Sequence, residues 1–226
     1  MVGNIVVDLS LNFTLSKLLY AEGAGRNPHS GCLKRTREAL LDKICNWAQD
    51  TASTAKLYLL TGVAGAGKTA IAHSIAQCCA YFGILLTSFF FNRDVAGLDR
   101  PDKLLSTLAY NFTQVDPEVS KYMALVIELD RGLLSATLSQ QFKELVMIFS
   151  QKLQSNRPLV IILDALDEGA SPELLEILCN ELNHLPGLFH VVATSRPDER
   201  QAELSMKQHV HSVEIDLENV NNLADI

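Results

Sequence analysis

The sequence predicts an α/β fold in three layers: a mainly parallel five-stranded sheet between helices, plus a short N-terminal helical extension. Three observations predict it. Short, nearly continuous apolar runs, of which 159–163 is the clearest, suit strands buried on both faces. These runs alternate with helix-length segments of 3.6-residue periodicity, the pattern of βαβ units. The composition, 48% hydrophobic and 20% charged over 226 residues, is that of a packed domain and excludes a disordered chain.

Each element follows from local pattern. Residues 1–31 hold a weakly patterned apolar segment and then a run of turn formers, 22–31, which reads as a linker and sets the domain at 32–226. Over 36–48 the apolar residues Leu40, Leu41, Ile44, Cys45 and Ala48 fall at helical spacing. Residues 57–60 read as a short strand, 69–79 as a helix and 84–91 as a second buried strand. Phe89, Phe90 and Phe91 belong to that strand's core contacts, because no basic residues interleave with them as in a base-stacking platform.

The middle of the chain, 95–156, is helical in pattern. Pro101 suits a helix start, with Leu104, Leu105 and Leu108 on one face. Val119, Tyr122, Met123, Val126 and Ile127 mark another helix. Thr137 with Gln140 reads as a capping box ahead of Phe142, Leu145, Val146 and Phe149. Residues 159–163 form the third strand, between Pro158 and Asp164. Ser171-Pro172-Glu173 opens a helix with a cap, a proline at its first position and an early acid, and Pro186-Gly187 closes it. The fourth strand is 189–193 and the fifth 213–217.

Charge and composition exclude several classes. A net charge of −7 opposes broad attraction to nucleic acid or an anionic membrane. No apolar stretch approaches the ~18 residues of a membrane span, and the N-terminus lacks a basic region and carries Asp8 within its apolar stretch. A cytoplasmic protein with neither membrane nor nucleic-acid partner is expected. The five cysteines, Cys32, Cys45, Cys78, Cys79 and Cys179, lack metal-ligand spacing and read as reduced core thiols. The six histidines lack metal spacing and a nucleophile partner; His209 and His211 alternate as on a strand and are expected to face solvent.

The chemistry concentrates at Gly62-Val63-Ala64-Gly65-Ala66-Gly67-Lys68-Thr69, which fits the phosphate-loop pattern of Gly, four residues, then Gly-Lys-Thr. A loop that wraps phosphates with its backbone N–H groups needs glycine dihedrals and few side chains. The helix beginning at Lys68 aims its N-terminal dipole at the same anions. Lys68 would supply charge to the β- and γ-phosphates, and the Thr69 hydroxyl would ligate Mg²⁺. Chance produces this pattern about once in 100 chains of this length, and here it lies between a strand and a helix, as the mechanism requires. The fold class sharpens to a P-loop NTPase.

Asp164 ends the third strand, where open α/β sheets bind ligands, and an acid there can hold Mg²⁺ opposite Thr69. Asp167 and Glu168 follow on the loop, and either can orient or deprotonate an attacking water. Thr194-Ser195-Arg196-Pro197 ends the fourth strand at the same edge. Arg196 is either a reporter of the γ-phosphate or a surface arginine in a pre-proline turn. Arg93 reads equally as a phosphate contact or as an ion-pair partner of Asp94.

Together these residues resemble the NACHT domains of STAND-class signalling NTPases, and within them the nephrocystin-type N-terminal modules of fungal NOD-like receptors. The resemblance rests on the 62–69 loop (Walker A) and on the 159–168 run with Asp164, Ala165, Asp167 and Glu168 (Walker B). Ser88 to Arg93, Thr194 to Pro197, and the upstream Cys32 to Arg37 with Trp47 add to it, so that it covers roughly 30–226. It implies a Mg²⁺ ligand at Asp164, a water-orienting acid at Asp167 or Glu168, and a γ-phosphate sensor at Arg196. It also implies that the Arg196 strand lies between the 57–60 and 159–163 strands. Lys34-Arg35 departs from it, standing where the family usually has Pro-Gly. The chain stops at Ile226, about where the family's helical lid and winged helix begin, and those parts are expected to be absent.

Three functions compete. The first is a Mg²⁺-dependent nucleoside triphosphatase, with ATP as substrate and GTP as the variant, serving as a slow switch within a NOD-like assembly that self-associates or engages other signalling domains. The second is a module that binds nucleotide without turnover. The third is a small-molecule kinase, which should carry an arginine-rich lid that 95–156 does not show.

Overall fold

A computed structural model of the chain describes residues 12–18 and 20–215. All five strands of its sheet are parallel, in the order β2-β3-β4-β1-β5. They are β1 (Leu57–Thr61), β2 (Leu85–Phe90), β3 (Leu159–Asp164), β4 (Phe189–Ser195) and β5 (Val210–Glu214). β4 lies between β1 and β3, the order the resemblance implies. β3 and β4 are buried along their whole length. That is why residues 159–163 carry no polar alternation: a parallel strand between two helical layers has no wet face.

Alternate residues of the strands feed two cores. Leu57, Leu59, Phe89, Ile161, Leu163 and Val191 point into the larger one, which is shared with helices from the second half of the chain. Tyr58, Leu60, Phe90, Val160, Ile162 and Val192 point into the other, against α1 (Glu38–Gln49) and α2 (Lys68–Tyr81). Fully burying one Leu, Ile or Phe contributes about 1.5–3 kcal/mol, so register is fixed by dozens of such side chains rather than by local propensity. α2 meets the sheet through the small residues Ala72 and Ala76, both with no exposed surface, which lets it lie close over β3 and β4.

The remaining helices follow their caps. α3 (Pro101–Val115) and α4 (Pro117–Leu129) each begin on a proline, and the Asp116 carboxylate accepts the Glu118 N–H. α5 is composite: Leu138–Gln141, a π-helical stretch Phe142–Met147, and Ile148–Ser150. The Thr137 hydroxyl caps its start by accepting the Gln140 N–H, and Phe142, Leu145, Val146 and Phe149 enter the core together. α6 (Leu166–Gly169) is a single turn where a loop is expected from the sequence. α7 (Pro172–Asn180) carries the predicted Ser171 cap but stops well before Pro186, because Leu182–His184 tightens into a 3₁₀ turn. α8 (Glu199–Ser205) precedes β5.

β5 begins three residues earlier than the pattern predicts, and residues 216–217 lie outside the described residues. Val210 to Glu214 pair along β1, so the sheet register overrides the apolar run further on. His209 is buried against the Leu178 carbonyl (3.0 Å) instead of facing solvent, whereas His211 stays exposed beside Tyr58. The five cysteines are free thiols. Residues 20–32, read from their turn formers as a linker, are irregular but packed across β2 and α2. Of the N-terminal segment, 12–15 form one helical turn, and 1–11 lie outside the described residues. Among the described residues no helix is long and apolar enough to cross a membrane.

Candidate functional site

The carboxyl ends of β1, β3 and β4 meet the start of α2, and the polar residues singled out in the sequence gather there. Gly67 caps α2 in the left-handed region (φ 80°), a conformation that side chains resist, and Lys68 and Thr69 open the helix. Ala64 through Thr69 form one wall of a cleft of about 290 Å³, and Ala165, Asp167, Glu168, Thr194 and Arg196 form the other. Gly62 and Val63 stand behind the loop: their carbonyls accept hydrogen bonds from the Lys68 ammonium at 2.7 and 2.9 Å. Burial lowers the Lys68 pKa from its ordinary value, Asp167 and Asp164 opposing the shift. The ammonium is thus partly desolvated and, among the described contacts, hydrogen-bonded to loop carbonyls only, a state that an incoming anion would relieve.

Asp164, 3% exposed, ends β3 between two hydroxyls. The Thr194 hydroxyl donates to its Oδ1 at 2.6 Å, and the Thr69 hydroxyl stands near enough to favour the charged form of the same carboxyl group. The Ala165 N–H donates back to Thr194 (3.0 Å), closing a small network across β3 and β4. Burial raises the Asp164 pKa above the ordinary carboxylate value, against the pull of both hydroxyls and of His73 and Lys68. A buried carboxylate facing a threonine hydroxyl is a hard, oxygen-only donor set. Among the described residues no group of three or more His, Cys, Asp or Glu is placed to hold a metal. One buried carboxylate with a threonine hydroxyl beside it is the kind of donor pair that Mg²⁺ accepts, its remaining positions being filled by water and ligand oxygens.

Ala165 reverses the chain after β3 through a left-handed conformation (φ 57°), which turns α6 back over the sheet end. A small side chain limits the steric penalty there. The turn separates the roles of the two acids that sequence reading left equivalent. Asp167 is committed: its Oδ1 accepts the Arg196 N–H (3.0 Å) and the Ser195 hydroxyl (3.4 Å), and its Oδ2 pairs with the Arg196 Nε (3.2 Å). Glu168 makes one longer contact, 3.4 Å to an Arg196 terminal nitrogen, and reaches into two clefts. Arg93 lies further out, with one nitrogen 3.5 Å from the Asp167 carbonyl.

Two features escaped the sequence reading. The Arg37 guanidinium donates to the Ala66 carbonyl at 3.0 Å and so braces the glycine-rich loop from the upstream segment. Arg35 and Arg37 both adopt positive φ (66° and 56°), so the turn keeps the backbone form of a glycine where the resembling family has Pro-Gly. His73 lines a second cleft of about 360 Å³ on the far side of β3, which shares Thr69, Ala165 and Glu168 with the first. The signal was present: His73 follows Thr69 by four residues and so lies one helical turn along the same face.

Fold and site together define an α/β protein whose parallel sheet presents a glycine-rich loop, a lysine and a buried carboxylate at one edge. Residues 35–196 match the family model described as nephrocystin 3, N-terminal, and the chain belongs to that family.

Proposed function

We propose that this chain is a P-loop NTPase module of the NACHT type, which binds a nucleoside triphosphate with Mg²⁺ and hydrolyses it slowly as a molecular switch. ATP is the proposed nucleotide. One observation carries the reading: the 62–69 loop and Asp164, about a hundred residues apart in sequence, meet at a single sheet edge, where Thr69 and Asp164 line one cleft. Mg²⁺ would be held by Thr69 and Asp164 and would neutralise phosphate charge. The backbone amides of 64–69 and the N-terminus of α2 bind the phosphates. Lys68 exchanges its loop carbonyls for phosphate oxygens. Glu168, less committed than Asp167, orients the attacking water. Arg196 is the γ-phosphate sensor: its guanidinium side chain is 51% exposed, and an ion pair of that kind is worth about 1 kcal/mol or less. A phosphate can therefore draw it away from Asp167 and Glu168.

A second reading, nucleotide binding without turnover, is favoured by one observation. With Arg196 on Glu168, the acid is engaged rather than available to water. Titration with ATP, GTP and ADP in the presence of Mg²⁺, with free phosphate followed in parallel, separates the two. Saturable Mg²⁺-dependent binding with phosphate release lost in Glu168→Gln supports the switch. Binding without release supports the second reading, and absence of binding sinks both.

A further inference from the structure

β2 stands at the edge of the sheet, and residues 20–32 cross that edge on their way to α1. Five of their backbone groups are held: the Ala24 carbonyl by the Phe90 N–H (2.9 Å), and the N–H groups of Ala21, Arg26, Asn27 and Cys32 by Thr107, Ser88, His73 and Ser74 (2.8–3.1 Å). An irregular segment fixed at this many points is a strap, and it forms the outer wall of the second cleft through Gly23, Gly25, Asn27 and Ser30.

The contact with His73 differs from the others. The ring is 8% exposed and stacked on Phe90, with centroids 3.9 Å apart and planes 11° apart. The Asn27 N–H donates to its Nδ1, so the neutral ring carries its proton on Nε2. Burial favours that neutral form, Asp164 opposing it. The same ring lines the cleft that holds Thr69, Asp164 and Glu168. Among the described hydrogen bonds Nε2–H has no partner, so the ring keeps one donor to offer within that cleft.

Resting on the metal–nucleotide reading above, we propose that His73 is a positioning residue of that site. Asn27 fixes its tautomer and Phe90 its plane, so that Nε2–H donates to the water shell of a metal held by Thr69 and Asp164. Docking of the strap and filling of the site are then linked, and linkage is reciprocal: whatever orders one orders the other.

Two measurements test this. His73→Phe keeps the stack and the volume but removes both nitrogens, whereas His73→Gln keeps a donor near the Nε2 position. The Mg²⁺ concentration that half-saturates binding of a fluorescent ATP analogue should rise about tenfold in His73→Phe, the loss typical of partners that orient metal ligands. In His73→Gln it should return most of the way. In the wild-type protein, hydrogen exchange at the Asn27 amide should slow when Mg²⁺ and ATP are present together, compared with ATP and a chelator. An unchanged Mg²⁺ requirement in His73→Phe overturns the proposal, as does unchanged Asn27 exchange in a wild-type protein that binds Mg²⁺ and ATP. Wild-type protein that binds no nucleotide sinks the metal–nucleotide reading itself, and this inference with it.

Discussion

The cleft beside the glycine-rich loop takes one whole wall from six consecutive residues, 64–69, whereas the cleft behind β3 is gathered from the strap, α2, β2 and the start of α6. The first holds paired charges, with Lys68 on carbonyls and Arg196 on two acids. The second holds a buried carboxylate, an imidazole and neutral amides, with no lysine or arginine among its described lining residues. The first arrangement suits polyphosphate, whose charge would replace internal partners. The second suits a surface that orients water and senses whether a neighbouring segment is docked. The difference teaches that a contiguous motif concentrates charge in one place, whereas distant segments meet to build a less charged surface.

Lys68→Ala should break the first cleft most severely. Losing a charge-assisted contact of up to about 3 kcal/mol weakens ATP affinity roughly 100-fold, measured by titration with Mg²⁺ present. The fold should be unaffected, because that ammonium bonds only to its own loop among the contacts described. If ATP affinity is unchanged, the division between the two clefts is wrong.

Gly169→Ala should damage the second cleft instead. A Cβ there would stand 2.1 Å from the Phe91 ring, a core side chain lining that cleft. Overpacking of this sort destabilises by about 1–3 kcal/mol, readable as a lowered midpoint in urea. Nucleotide affinity measured without metal should change far less than in Lys68→Ala.

Asp164→Asn tests the boundary between the clefts. Because burial raises the pKa of this carboxyl, its charge opposes folding, and the amide should stabilise the ligand-free protein by about 1 kcal/mol while abolishing the Mg²⁺ dependence of ATP binding. Between the ordinary value of 3.8 and the raised folded value, the folded state holds more protons than the unfolded, so wild-type stability gains as pH falls through that window. The advantage of Asp164→Asn should therefore shrink on acidification. An advantage independent of pH would show that the carboxyl is not the group responsible.

Arg196→Ala should have the smallest effect on stability, less than about 1 kcal/mol, because the arginine side chain itself is half exposed and solvent screens its pairs. Its signature should be a loss of preference for ATP over ADP, read by parallel titrations.

Much of the fold was legible beforehand. Residues 57–60, 159–163 and 189–193 all fall within β1, β3 and β4, because strands buried on two faces cannot hide their apolar character. Pro101, Ser171 and Thr137 each mark a helix start, because capping is local chemistry. The fifth strand and His209 were misplaced for one reason. β5 is an edge strand with little burial of its own, and its register comes from β1. Within the site, 62–69, Asp164 and Arg196 were legible as a motif and two strand ends. The commitment of Asp167 to Arg196 was not, since it depends on a left-handed turn at Ala165 that composition does not announce.

The sequence by itself determined the sheet's buried strands, the glycine-rich loop and the acid near it, because each is written in consecutive residues or in a strand's end. Tertiary structure alone decided which acid holds Arg196 more closely, that residues 20–32 lie on the domain, and that His73 shares a chamber with Asp164. Those facts arise where chain segments dozens of residues apart exchange single hydrogen bonds, and no local periodicity encodes them.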